Sequence, residues 1–152
     1  MSRTEPTYMR MALAEAEAAA RRGEVPVGAV VVDGMTGTVL ARAGNRVEEL
    51  ADPTAHAEIL AIRAAGARSG APKLVGCDLH VTLEPCAMCA AAIALARIRR
   101  LYFGAYDPKG GAVEHGARLF TLATCNHRPD VYGGVDEQAA AQMLRSFFAE
   151  RR

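Results

Sequence analysis

Cys86 and Cys89 stand three residues apart in LEPCAMCA, residues 83–90. On a helix that spacing sets both sulfurs on one face, and Pro85 suits the first helical position, so the pair is predicted in a first turn. A helix N-terminus favours negative charge and helps both thiols toward thiolate, the form a soft metal binds. Two thiolates at this spacing suit zinc but leave its site incomplete. A redox pair is the competing reading, and it wants the motif directly after a strand in a thioredoxin-like pattern. TAHAEIL, residues 54–60, offers His56 as a third ligand if its helix and the helix at Pro85 aim their N-termini at one spot. Three protein ligands leave a fourth position for water, which is the catalytic form of a zinc site. Glu58 follows His56 by two residues, and a helix turning about 100° per residue sends it in another direction. Its expected task is the proton of a zinc-activated water. Cys77 is the rival fourth ligand, which would close the site into a structural one and leave Glu58 without a role.

The elements that must position these residues follow from periodicity and breakers. EPTYMRMALAEAEAAARR predicts a helix over 5–22, with Pro6 in its first turn, Gly23 just past its end and an apolar stripe of Met9, Leu13, Ala16 and Ala20. A β-branched run at 27–32 and a second strand at about 38–43 enclose a Gly-rich turn and predict a hairpin. A polar loop at 44–53 leads into a helix over 54–68, followed by a strand at 78–84 and a helix from Pro85 through CAMCAAAIALARI. A strand at 99–105, a Gly-rich loop at 107–116, a short strand near PDVYGG and a last helix at 136–150 complete the chain. Strands alternating with helices predict an α/β sheet covered by helices. Strand-to-helix loops of such a sheet open at one edge, where ligand sites gather.

Composition narrows the class of molecule. The 152 residues are 51% hydrophobic and 23% charged, which describes one folded domain, taken as residues 1–152, rather than a disordered chain. A net charge of +1 gives no global electrostatic argument for nucleic acid, so any basic footprint must be local. No apolar run approaches a membrane span and MSRTEPTYMR has no hydrophobic signal segment, so the expectation is a cytoplasmic protein without a membrane partner. Four cysteines in such a setting point to metal or catalysis before disulfides.

The combination H-x-E with P-C-x-x-C is the signature of zinc nucleobase deaminases. VPVGAVVV at 25–32, GNR at 44–46, DPTAHAEIL at 52–60, VTLEPCAMCA at 81–90, FGAYD at 103–107 and NHR at 126–128 make the chain resemble the bacterial tRNA adenosine deaminases, within the cytidine and deoxycytidylate deaminase superfamily. The resemblance covers nearly the whole chain. It implies a three-layer α/β/α cytidine-deaminase-like fold with a mixed five-stranded sheet, a homodimer, one zinc per chain, and conversion of adenosine to inosine at the wobble position of a tRNA anticodon stem-loop. His56, Cys86 and Cys89 then match the zinc ligands and Glu58 the proton shuttle. By the same resemblance Asn45 hydrogen-bonds the flipped base, and the Ala57 backbone with the small side chains around Val27 and Ala29 forms the pocket wall. Asp107 meets the neighbouring ribose. The last helix, ending RSFFAERR, grips the anticodon loop, with Phe147, Arg151 and Arg152 as its contacts.

Other residues read more plainly. His80 lies within a strand and is expected to pack or face solvent; Cys125 is a bystander, and His127 is a loop hydrogen-bonding residue or a substrate contact. RIRR at 97–100 reads as the charged end of a helix. Of the adjacent Phe147 and Phe148, one packs and the other is free, because neighbours on a helix diverge. The apolar helix at 85–98, rich in alanine, suits either a buried position or close approach by a second copy. A small-molecule deaminase acting on guanine, cytosine or a nucleoside would carry the same zinc site. A zinc-stabilised interaction domain is the third reading, and Glu58 speaks against it.

Overall fold

GAVVVD at 28–33 is apolar on both of the faces that a strand alternates between, so it must be covered on both sides. In the computed structural model, which describes residues 7–151, it is. The described residues form α1 (Tyr8–Arg21), β1 (Gly28–Asp33), β2 (Val39–Gly44), α2 (Val47–Leu50), α3 (Ala57–Ser69), β3 (Cys77–Leu83), α4 (Ala87–Leu95), β4 (Arg100–Ala105), β5 (Asp130–Tyr132) and α5 (Glu137–Ala149). A short 3₁₀ turn at Leu119–Thr121 lies in the long loop before β5. The sheet order is β2-β1-β3-β4-β5. β1 is antiparallel to β2 and β3, while β3, β4 and β5 run parallel, which makes the sheet mixed.

Ala29 and Val31 of β1 face a core that includes Leu79, Val81 and Phe103 with Ala57, Ala61 and Ala65 of α3 and Ala90 and Ile93 of α4. Val30 and Val32 face Met9 and Ala12 of α1. The α5 residue Ala140 lies over Gly104 of β4, so α1 and α5 share one face and α3 and α4 the other. Gly28 and Gly44 are partners in the hairpin, and a Cβ on Gly28 would stand 1.9 Å from the carbonyl oxygen of Ala12. Their lack of side chains lets α1 lie directly on the hairpin.

Strand polarity gathers one edge. β3 and β4, being parallel, deliver Leu83–Cys86 and Asp107 to the same side, where β2 ends and antiparallel β1 begins. Among the described residues no helix is long and apolar enough to cross a membrane.

Several boundaries differ from the sequence reading. α1 begins at Tyr8 because Thr7 caps it, its Oγ1 accepting from the Arg10 N–H at 3.1 Å; Pro6 lies outside the described residues. The buried stripe of α1 is Met9, Ala12, Ala16 and Ala19, with Leu13 and Ala20 only flanking it. α2 forms in the expected loop because the Glu24 carboxylate accepts from the N–H groups of Glu48 and Glu49. α3 starts at Ala57 rather than Thr54, since Asp52 draws Thr54 and Ala55 into a turn first. α4 starts at Ala87, two residues after Pro85, and stops at Leu95 because Arg97 turns left-handed at φ 63°.

Candidate active site

His56 and Cys86 are each the residue just before a helix, with extended backbone at ψ 150° and 177°. Neither makes a side-chain cap hydrogen bond. Their side chains are turned toward each other instead. His56 Nδ1 lies 3.7 Å from Cys86 Sγ and 3.5 Å from Cys89 Sγ. Among the described residues these three are the one group of His, Cys, Asp and Glu donors close enough to hold an ion. The two-residue gap between His56 and Glu58 is now explained: the extended His56 projects outward while Glu58 sits inside the first turn of α3.

The donor set fits zinc. Bonds of about 2.3 Å to sulfur and 2.0 Å to nitrogen in a tetrahedron place the two donor types about 3.5 Å apart, close to the observed separations. Two thiols in the first turn of one helix, α4, also supply the negative charge a divalent cation needs. Hydrogen bonding to Cys89, more than the nearby His56, lowers the Cys86 thiol to about 5, although its partial burial opposes this. Cys89 is the donor of that shared bond and is pushed up, further so by burial and by Glu58. A cation between the sulfurs takes the place of the shared proton. Cys77 is outside the cluster, buried at the start of β3, and its thiol is raised by burial. The closed four-ligand site is therefore not formed.

Glu58 is 4% exposed, and burial pushes its carboxyl up to about 6, with its own N–H and His56 opposing and Cys86 reinforcing the rise. It borders, with His56 and Cys86, a pocket of about 470 Å³ whose wall includes Val27, Asn45 and Leu83. Asp107, Gly110, Phe147 and Arg151 line the same pocket. Asn45 is buried and its Oδ1 accepts from the Ala57 N–H at 2.7 Å. That bond fixes the amide orientation, and among the described residues its NH₂ donates to no protein atom. Ala57 itself is fully buried and is not a lining residue, so its backbone serves by holding Asn45. Ala29 likewise belongs to the core rather than the pocket.

Asp107 Oδ1 accepts from Lys109 and Gly110, closing a turn at the rim. Phe147 is buried while Phe148 is 47% exposed, the division expected of adjacent helical residues. The Arg151 guanidinium lies 3.6 Å over the Phe147 ring. Arg152 lies outside the described residues. His127 donates Nε2–H to the Ile98 carbonyl and is absent from the pocket lining, so it holds a loop. Of RIRR, Arg97 bonds the Ala94 carbonyl at the end of α4 and Arg99 pairs with Asp78, which makes the segment structural.

Among the lining residues that the sequence did not mark as functional are two buried carboxylates, Glu24 and Glu84. Each is a buried carboxylate whose partners are backbone N–H groups distant in sequence. The one sequence signal for Glu84 is its place at the end of an apolar strand, where a charge must find partners.

The family model for the cytidine and deoxycytidylate deaminase zinc-binding region matches residues 2–105. A tRNA-specific adenosine deaminase of Agrobacterium fabrum is 59% identical over 145 residues, covering 95% of this chain and 94% of the relative. Among solved structures, a chain from studies of A-to-I editing by tRNA:A34 deaminases at the wobble position of transfer RNA has a TM-score of 0.88 at 59% identity. It covers 90% of this chain and 98% of its own length. A guanine deaminase from Nitrosomonas europaea has a TM-score of 0.77 at 25% identity, over 96% of this chain and 89% of its own. A matching domain model, a close relative of nearly equal length and a His–Cys–Cys centre beside a buried glutamate agree: the chain belongs to the zinc-binding cytidine and deoxycytidylate deaminase family, in the branch of the tRNA-specific adenosine deaminases.

Proposed function

We propose that this protein is a zinc-dependent deaminase that converts adenosine to inosine at wobble position 34 of a tRNA anticodon, as the solved relative at 59% identity is described to do. The observation that carries the reading is the buried Glu58 beside the His56–Cys86–Cys89 cluster at the base of one pocket. Zinc held by those three residues supplies a Lewis acid that acidifies water. Glu58 moves two protons in turn: it takes one from the attacking water and gives it to N1 of the purine ring as oxygen bonds C6, then carries the proton of the new C6 hydroxyl to the amino nitrogen, so that the C6–N bond breaks, ammonia leaves and C6 keeps a carbonyl. Asn45 donates its free NH₂ to an acceptor on the base edge, and Val27 and Leu83 pack its apolar faces. Burial of Glu58 and Asn45 keeps bulk water from competing at both contacts.

An anticodon loop suits this pocket because its bases are unpaired, so turning one out of the stack costs only a few kcal/mol. Asp107 at the rim accepts from the ribose hydroxyl next to the target. Phe147 and Arg151 form the aromatic and basic platform for flanking nucleotides, and Arg152, next in sequence, adds a further charge. Residues 1–152 act as one catalytic unit in the cytoplasm.

The working form is a homodimer. The outer face of α4 and the long loop after β4 present an apolar crevice with Ala91, Ala94, Leu95, Leu119 and Leu122. Leu95 is 74% and Leu122 43% exposed in the single chain, a surface that a second copy covers. The function is tested by incubating the zinc-loaded protein with an anticodon stem-loop carrying A34 and, separately, with free guanine, cytosine and adenosine. Inosine in the RNA with no ammonia from the small molecules is the expected outcome. Ammonia from a free base with intact RNA would replace this reading with that of a small-molecule deaminase.

A further inference from the structure

GGAVEHG, residues 110–116, folds back on the end of β3 rather than out into solvent. Glu84 Oε2 accepts the consecutive N–H groups of Val113, Glu114 and His115 at 3.2, 2.9 and 3.1 Å. Oε1 accepts from the Asp107 N–H at 3.0 Å and meets His115 Nδ1 at 2.8 Å. A carboxylate oxygen accepts only, so Nδ1 carries the hydrogen. Three successive N–H groups converging on one point form an anion nest, here filled by the protein's own carboxylate. The Glu84 side chain is fully buried, and the Ala112 N–H bonds the next carbonyl, that of Pro85. Gly111 permits the approach, since a Cβ there would stand 2.6 Å from Glu84 Oε2 and from the Asp107 carbonyl.

This arrangement ties the loop carrying Asp107 and Gly110, which lines the pocket, to a residue two positions before Cys86, which lines the same pocket. We propose that Glu84 is a positioning residue for catalysis: its carboxylate sets the distance between the Asp107–Gly110 wall and the His56–Cys86–Cys89 cluster, and so governs how the nucleoside is held. The assignment rests on the deaminase reading above. Glutamine cannot replace it, because whichever way the amide turns, an NH₂ faces two or three N–H donors.

The test compares Glu84→Gln, Gly111→Ala and His115→Ala with the parent on the A34 stem-loop. Glu84→Gln and Gly111→Ala should each raise KM about tenfold while kcat changes less than about threefold, the signature of a displaced wall rather than a lost acid. Zinc should remain near one per chain, and amide exchange should quicken at 107–115. His115→Ala removes one donor of five and should change KM by less than about threefold. Unchanged KM and unchanged exchange in Glu84→Gln would overturn the proposal, as would zinc lost in step with activity, which would place its role at Cys86. If Glu84→Gln does not fold, Gly111→Ala decides by the same two readings. A parent protein that makes no inosine would sink the deaminase reading, while exchange at 107–115 would still report whether Glu84 holds the loop.

Discussion

His56 and Cys86 occupy the position before a helix where Ser, Thr, Asp or Asn would stabilise the fold by about 1 kcal/mol, and neither caps. Their side chains are committed to the metal centre instead. Asn45 shows a similar division within one residue: Oδ1 holds Ala57, while among the described residues the NH₂ that borders the pocket donates to no protein atom. Glu58 is buried beside the same cluster with its carboxyl raised to about 6, the setting of the proton shuttle proposed above. Glu58→Gln should therefore keep one zinc per chain and an unchanged melting temperature while losing turnover by at least ~100-fold. Metal analysis and single-turnover deamination check it together. Loss of zinc in the variant would make Glu58 a ligand, and near-normal turnover would remove its assigned role.

At the scale of elements, β3, β4 and β5 carry a stack that the site does not use. His80 and Tyr102 are register partners with parallel rings 4.5 Å apart, and Tyr102 meets Tyr132 at 4.9 Å. Tyr8 of α1 closes the other end at 5.1 Å, Asp78 lies on the same strand, and Asp136 before α5 borders the same crevice. Burial lowers His80 to about 4, against a smaller opposing pull from Asp78. The unfolded chain protonates this histidine near pH 6.5, and the folded chain resists until about 4, so the unfolded state gains the extra proton between those values. Stability is full above about 6.5 and falls as pH drops toward 4, by roughly 2 kcal/mol at pH 4.5. Urea unfolding at pH 7.5 and 4.5 should show this loss in the parent and a smaller one in His80→Phe, which keeps the stack. Equal losses would mean that His80 is not held neutral.

α5 makes a second prediction at this scale. Arg151 lies over Phe147 at the pocket, whereas Arg145 bonds Gln142 on the exposed side of the helix. Arg151→Gln should weaken stem-loop binding more than Arg145→Gln, and removing each arginine–phosphate interaction should flatten the log–log salt dependence by roughly 0.7. Binding titrations at several salt concentrations, with melting curves beside them, decide this. Unchanged affinity and slope in both folded variants would make the helix a structural cap.

For the whole molecule, Leu95 on α4 and Leu122 in the loop after β4 are exposed leucines that border one apolar crevice, where the proposed dimer would form. Sedimentation should find a dimer at micromolar concentration, and Leu95→Asp should yield a folded monomer, since an exposed site tolerates the change within about 0.5 kcal/mol. A parent chain that sediments as a monomer would refute the assembly.

The sequence by itself determined the local chemistry: the Cys86–Cys89 spacing, the His56–Glu58 pair, the β-branched run of β1 and the order of the strands and longer helices all follow from short-range geometry that one stretch of chain contains. It also required that one of Phe147 and Phe148 pack and the other be free, because neighbouring helical side chains diverge whatever surrounds them; the tertiary structure chose Phe147 as the packed one. Tertiary structure decided what depends on partners far along the chain. α2 exists because Glu24 meets N–H groups 24 and 25 residues away, and Glu84 has a role because 107–115 returns to it. Cys77 and Cys89 are alike as letters in the sequence; strand polarity sends one to the far end of β3 and the other to the edge where the helices begin. A buried carboxylate is chosen by its donors, and those donors are assembled only when the sheet brings distant stretches of the chain to one edge.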